Sequence, residues 1–166
     1  MVDYEVWKPQ KFSSWMGGTD NDNSFGIWNT ATLAAGSQRM MFGCNDANGD
    51  ANMIRNSTGT LIFRNYQGGS QLSKVEIDAV GFWLGVRRSS SDAEFYENGV
   101  SVSTTGVASA GAPDVNFFIG ARNSLGSPAN HSPITWVFSW FGLGVSTGEA
   151  ASIYSNVLSY QTTIGR

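Results

Sequence analysis

Residues 76–80 read Glu-Ile-Asp-Ala-Val. In an extended strand Glu76 and Asp78 share one face, because successive side chains point to opposite sides. Carboxyl groups on one face suggest glycoside cleavage. The retaining form of that reaction needs a nucleophile and a proton donor about 5 Å apart. No donor follows in the strand: Gly81 comes after Val80, and the next carboxylate is Asp92. The plain reading is a solvated strand face. The reading becomes catalytic only if Asp92, Glu94 or Glu97 comes within about 5 Å of Glu76 across a sheet.

A second group is Asp46-Ala47-Asn48-Gly49-Asp50. Oxygen ligands at every second position suit a calcium loop. The remainder of a helix–loop–helix calcium site is missing: Ala51 stands where that motif needs glycine and Ser57 where it needs a bidentate Glu. Asp46, Asn48 and Asp50 therefore stand either as ligands of a one-sided calcium site or as a polar hairpin tip around Asn48-Gly49. Asp20 and Asp22 give a weaker version of the same signal. His131 is the only histidine, no nucleophile-elbow glycine pattern accompanies it, and Pro128 and Pro133 flank it, so a loop position is expected. One histidine and one cysteine do not make a zinc site. Cys44 follows Met40, Met41 and Phe42 and reads as a core residue.

The aromatic residues are candidates for stacking on a sugar ring. Trp83, Trp136 and Trp140 lie in apolar alternation and read as core. Trp15 and Trp28 flank a polar loop at 17–23, and Tyr66 precedes Gly68-Gly69, so these three are the candidates for an exposed platform. Asn123 and His131 lie in or beside the loop at 123–133 and complete the ligand-binding set with Asp20 and Asp22.

The elements that must position these residues are strands. Phe82, Leu84 and Val86 alternate with Trp83, Gly85 and Arg87. Phe95-Tyr96 leads through Asn98-Gly99 to Val100 and Val102. Asn-Gly between β-type runs signals a two-residue hairpin with positive φ at both central positions. Val115, Phe117 and Ile119 alternate again. Upstream, strands are expected at Val2–Trp7, Phe12–Met16, from Phe25, at Arg39–Cys44 (with Met40, Phe42 and Cys44 on one face), at Met53-Ile54, at Leu61–Tyr66 and at Leu72–Val80. Downstream, Ile134–Leu143 places Trp136, Phe138 and Trp140 on one face and Val137, Phe141 and Leu143 on the other. Apolar character on both faces calls for cover on both sides. The cover is a helix from Thr147 to about Thr163, opened by a capping box of Ser146 and Glu149 and closed near Gly165. Its apolar stripe is expected to run through Ile153, Tyr154, Val157, Leu158 and Ile164.

The totals agree. The chain has 166 residues, 14% of them charged against a usual share of about 25%. Twenty glycines and abundant Ser, Thr and Asn take the place of charge, while 13% aromatic residues argue against disorder. Net charge is −3 and no Lys/Arg run is present, which excludes nucleic-acid binding as an expectation. No apolar run is long enough to cross a bilayer and no signal-peptide core is visible. One domain spanning 1–166 is expected, an all-β jelly-roll sandwich of two antiparallel sheets with one C-terminal α-helix.

The order F-W-L-G-V-R-R, F-Y-E-N-G-V and F-F-I-G-A-R resembles the second half of concanavalin A-like (laminin-G-like) jelly rolls. The end, W-F-G-L-G-V-S-T-G-E-A-A-S-I-Y with Y-Q-T-T-I-G-R, is similar to the closing helix of lectin-like terminal domains in phage and prophage tail proteins. The resemblance covers roughly 80 to 166. It implies a non-enzymatic module that binds a glycan or host-surface receptor, in a virion or extracellular setting, alongside other virion proteins; whether it forms a homo-oligomer is left open by the sequence. The alternative is a structural virion protein. Glucanases of this fold carry Glu-x-Asp followed by a second Glu. Glu76 and Asp78 match the first two and Gly81 stands in place of the third, which disfavours the enzyme. The Gln-x-His motif of alginate lyases on this fold is absent.

Overall fold

The structure is a computed structural model, and it describes residues 21–32, 36, 38–65, 71–76, 78–132 and 135–165. Within these residues twelve strands and one helix make a two-sheet β-sandwich: β1 Asn23–Asn29, β2 Arg39–Asn45, β3 Asp50–Arg55, β4 Thr60–Asn65, β5 Leu72–Val75, β6 Gly81–Ser89, β7 Asp92–Glu97, β8 Val100–Thr105, β9 Phe118–Ile119, β10 Arg122–Ser124, β11 Ser127–Ala129, β12 Trp136–Gly142 and α1 Thr147–Thr163. One sheet has the order β12-β1-β6-β7-β8; the other runs β11-β10-β2-β3-β4-β5, with β9 paired to β2. All pairings are antiparallel except β10 with β2, which is parallel. That exception corrects the expectation of two purely antiparallel sheets: β10 returns to the sheet after a long excursion, so no tight hairpin dictates its direction. The strands expected at Val2–Trp7 and Phe12–Met16 fall outside the described residues.

The period-two signals hold where they were clearest. Trp83 joins Phe25, Ile27, Phe42, Phe63 and Phe95 between the sheets, while Phe82, Leu84 and Val86 face the other way. The Asn98-Gly99 turn has φ of 51° and 79°, so the hairpin closes with both central residues left-handed. Four predictions are corrected. In β2 a bulge between Met40 and Phe42 breaks the expected alternation. Met40 packs with Ile54 and Ile62 away from the intersheet core, and Met41, Phe42 and Cys44 enter it. The Leu72–Val80 strand stops at Val75. The Val115–Ile119 segment sends Phe117 into the core, but only Phe118–Ile119 pairs as strand. The fourth concerns the helix and follows below.

Both faces of β12 are covered as expected. Phe141 packs on the intersheet core, and Phe138 and Trp140 pack on the cluster that α1 closes from outside. Tyr154 of α1 stacks on Trp28 at 5.8 Å between centroids and on Phe82 at 6.5 Å. The buried residues of α1 are Ala150, Val157 and Gln161. Leu158 and Ile164 lie largely exposed, which corrects the expected stripe: the line of burial follows positions seven and eleven residues on from Ala150, and Leu158 sits one step around the helix from it. The cap is as read. Ser146 Oγ accepts the Glu149 amide at 3.3 Å, and Glu149 accepts the Ser146 amide at 2.8 Å. Ser146→Ala should therefore lower stability by about 1 kcal/mol, seen as a drop of roughly 2–4 °C in Tm. An unchanged melting curve would show that this cap does not hold the helix start.

Candidate functional site

Strands β2, β3 and β4 each turn one set of side chains to the intersheet core and the other set outward. In β3, Ala51 and Met53 are core residues and Asn52 alternates with them. In β4, Leu61 and Phe63 are core and Arg64 alternates; in β2, Phe42 and Cys44 are core and Gly43 and Asn45 alternate. Register then aligns the outward positions in rows. Arg122 stands opposite Gly43, Gly43 opposite Asn52, and Asn52 opposite Arg64. The neighbouring row holds Ser124, Asn45 and Asp50. The outer face of this sheet is thus polar toward the end where β2 finishes, and apolar where Met40, Ile54 and Ile62 lie.

Hydrogen bonds fix the rows. Arg64 donates to Asn52 Oδ1 at 3.4 Å and to Gln71 Oε1 at 2.8 Å, and its Nε lies 4.0 Å from Asp50 Oδ2. A guanidinium only donates, so its contact identifies the near atom of the Asn52 amide as oxygen and sends the NH2 group the other way. Asn52 is fully buried, and among the described residues that NH2 has no partner; neither has Nε of Arg122 nor Oδ1 of Asn45. A buried polar atom without a partner costs about 1–3 kcal/mol.

The end of the sandwich beside these rows collects five of the residues expected from sequence. Asp22 Oδ1 accepts the Gly144 amide at 2.8 Å, tying the start of β1 to the segment before α1. Asn123 is buried, donating to Asn116 O and accepting from the Gly126 amide. Asp46 accepts the amides of Asn48 at 2.7 Å and Asp114 at 2.6 Å. Asp50 is turned outward toward Arg64. Asp46, Asn48 and Asp50 thus make a hairpin tip whose carboxylates go to separate partners. Among the described residues no group of three His, Cys, Asp or Glu side chains is placed to hold a metal ion. Cys44 lies beneath, its thiol pushed far up by burial and further by Asp46 and Asp50, and so unreactive.

Trp28 and His131 lie elsewhere. Trp28 is half-buried under Tyr154 rather than forming an open platform, because α1 covers that face. His131 is exposed beyond β11. Trp15, Asp20 and Tyr66 fall outside the described residues. Asn45, Asn52, Arg64 and Arg122 were missed by sequence reasoning. The alternation of Asp50 and Asn52 with Ala51 and Met53 was the one available signal.

Glu76 does meet a second carboxylate. Lys74 forms ion pairs with Glu76 at 3.6 Å and, in a closer contact, with Glu97. The hydrogen bond to Glu97 is the main reason the Lys74 ammonium is held above its usual pKa. The ammonium also lies 5.7 Å from the ring centre of the buried Trp83. Lys74 thus pairs with both carboxylates, which in a retaining pair would have to act as nucleophile and proton donor. The trio closes the open side of the sandwich, between β5 and the β7–β8 hairpin.

No family model matches this chain, and no curated protein matches it in sequence. Solved structures do match in fold. The receptor binding domain of botulinum neurotoxin C/D mosaic serotype superposes with a TM-score of 0.56 at 9% identity, over 82% of this chain and 36% of that one. Ruminococcus gnavus IT-sialidase CBM40 gives 0.54 at 12% identity, over 81% of this chain and 83% of that one. A mutant of Trypanosoma rangeli sialidase displaying trans-sialidase activity gives 0.58 at 14%, over 81% of this chain and 23% of that one. The chain therefore spans about a third or less of the toxin and sialidase structures, and most of the CBM40 structure. At these identities the likeness is one of fold.

Proposed function

We propose that this chain is a non-enzymatic module that binds carbohydrate on a cell or receptor surface, carried by a phage or prophage virion as part of a tail or fibre. The observation that carries the binding reading is the pair of polar rows, in which Asn45, Asp50, Arg64, Arg122 and Ser124 are partly exposed. Similar structures that are themselves binding domains support it. The tail-protein likeness of residues 80–166 supports the virion setting. The enzyme reading is disfavoured because Lys74 pairs with both Glu76 and Glu97. A glycan-array screen, run with calcium and again with chelator, tests the proposal. Specific hits are expected. Their loss in chelator would bring a calcium ion back to Asp46, Asn48 and Asp50, and a blank in both conditions would sink the binding reading.

A second reading, a structural virion protein, is favoured by one feature. Val75 and Val100, on the edge strands β5 and β8, are 73% and 66% exposed. Paired edges that display valine suit contact with another protein. A stable oligomer in light scattering, combined with a blank array, would establish that reading.

A further inference from the structure

We infer that Leu125 is an apolar contact for the bound saccharide, packing on its C–H surface while the neighbouring Ser124, Asn45 and Asp50 meet its hydroxyls. The inference rests on the carbohydrate-binding proposal and adds to its site a residue that touches the ligand. Leu125 stands at the tip of the β10–β11 hairpin, beyond the Ser124–Ser127 pair, and is 71% exposed. Its amide donates to the Asn45 carbonyl at 3.2 Å. In register Ser124 lies opposite Asn45, and Asn45 opposite Asp50. The leucine therefore rises directly beside a row of three partly exposed polar residues. Its position is fixed at the base of the hairpin. The Gly126 amide donates to Asn123 Oδ1 at 2.8 Å, and buried Asn123 donates in turn to Asn116 O.

The backbone says that this leucine does not serve the fold. Leu125 and Gly126 have φ of 51° and 92°, both left-handed, in a two-residue turn that favours Asn-Gly, Asp-Gly or Gly-Gly. A bulky side chain is strained in that region. The chain makes the same turn at Asn98-Gly99, with φ of 51° and 79°, and there uses the residue type that the conformation prefers. Among the described residues the other non-glycine positions with positive φ are Ala79 and Asn130. Asparagine tolerates the left-handed region. Ala79 is small and buried, and its carbonyl accepts from Asn29 Nδ2 and Trp83 Nε1, so packing sets its conformation. Leu125 alone combines strain with a large apolar side chain held out in solvent. Strain with so little return inside the molecule points outward, to a partner. An apolar tip beside hydroxyl, amide and carboxylate groups suits a sugar, which offers hydroxyls at its edge and C–H groups on its face. Asp46 and Asp50, at either end of the adjoining β2–β3 turn, would repel an anionic lipid surface.

The test runs the glycan array side by side on wild type, Leu125→Asn and Leu125→Met, with a melting curve for each. Leu125→Asn supplies the preferred Asn-Gly turn, so Tm should rise by roughly 2–4 °C. Its half-saturating concentration on the array should rise about tenfold, a step of roughly 1.4 kcal/mol, as expected when the apolar contact of a leucine is lost. Leu125→Met keeps an apolar tip and should keep most of the binding. Weaker binding together with a higher Tm is a result that a structural role for the leucine does not give. If Leu125→Asn binds the array as wild type does, the inference falls while the carbohydrate reading stands. A lower Tm in Leu125→Asn would show that the leucine serves the fold, and would overturn the inference as well. If wild type itself leaves the array blank, both fall. Sedimentation with phosphatidylcholine vesicles is run alongside: binding that Leu125→Asn abolishes would assign the tip to a lipid surface and overturn the sugar contact.

Discussion

Gly85→Val should abolish the native fold, and Gly85→Ala should lower stability by about 3 kcal/mol, the upper part of the usual range for overpacking a core. Gly85 lies in the middle of β6, on the face turned between the sheets. A Cβ there would lie 2.0 Å from Cε2 and Cζ of Phe63. That ring has nowhere to go. It is stacked on Phe95 at 5.5 Å and 12°, and it meets Phe25 at 4.9 Å. Phe25 in turn touches Phe42 and Phe117, so displacement of one ring is passed through the aromatic core of both sheets. Thermal unfolding should show Gly85→Ala melting roughly 6–12 °C lower. Combining it with Phe63→Leu should recover at least about 1 kcal/mol relative to the sum of the single changes, because the second substitution clears the space that the first needs. Strict additivity of the two would show that the ring does not set the cost.

This glycine also marks how much of the fold was legible in the chain. Its place in the alternation Phe82 to Arg87 predicted a strand with two distinct faces, but nothing local said that a phenylalanine twenty-two residues upstream would fill the missing side chain. The hairpin at Asn98-Gly99, the helix cap at Ser146 and the two-faced β12 were readable because each depends on residues a few positions apart. The bulge at Met40, the end of β5 at Val75 and the parallel pairing of β10 were not, because each is settled by what the strand lies against. The candidate site lies further in that direction. Asn52, Arg64 and Arg122 are, one at a time, ordinary outward residues of strands. Only the register of four strands places them in a row, and the sequence motifs led instead to positions read as loops: Asp46 is occupied with holding the chain, and so is Asn123, which the structure places in β10.

Arg88→Met should destabilise the chain by about 3 kcal/mol at neutral pH, at the lower end of the range for removing one member of a buried ion pair, because Arg88 is itself a quarter exposed. Arg88 binds the Val145 carbonyl through Nε at 2.7 Å, Glu94 at 2.8 Å and the Tyr96 hydroxyl at 2.5 Å. Tyr96 donates to Glu94 at 2.5 Å and meets Thr147 Oγ1 at 3.2 Å. The network fastens the start of α1 to the outer face of β6 and β7, so its loss also loosens the cover over Phe82 and Trp28. Its pH dependence separates charge from packing. Burial works against ionisation of Glu94, but hydrogen bonds from Ser101, Tyr96 and Arg88 outweigh it and hold the carboxyl below its ordinary value of 4.5. The folded pKa lies below the unfolded one. Glu94 therefore contributes its full stabilisation above about pH 4.5 and loses it as pH falls through the folded value. Without Arg88 the burial effect is left less opposed, and protonation relieves a buried charge instead of breaking a bond. The gap in unfolding free energy between wild type and Arg88→Met, measured by urea denaturation, should thus be widest near pH 7 and narrow toward pH 3.5. A gap that stays constant with pH would assign the loss to packing of the arginine stem and remove the ion pair from the account.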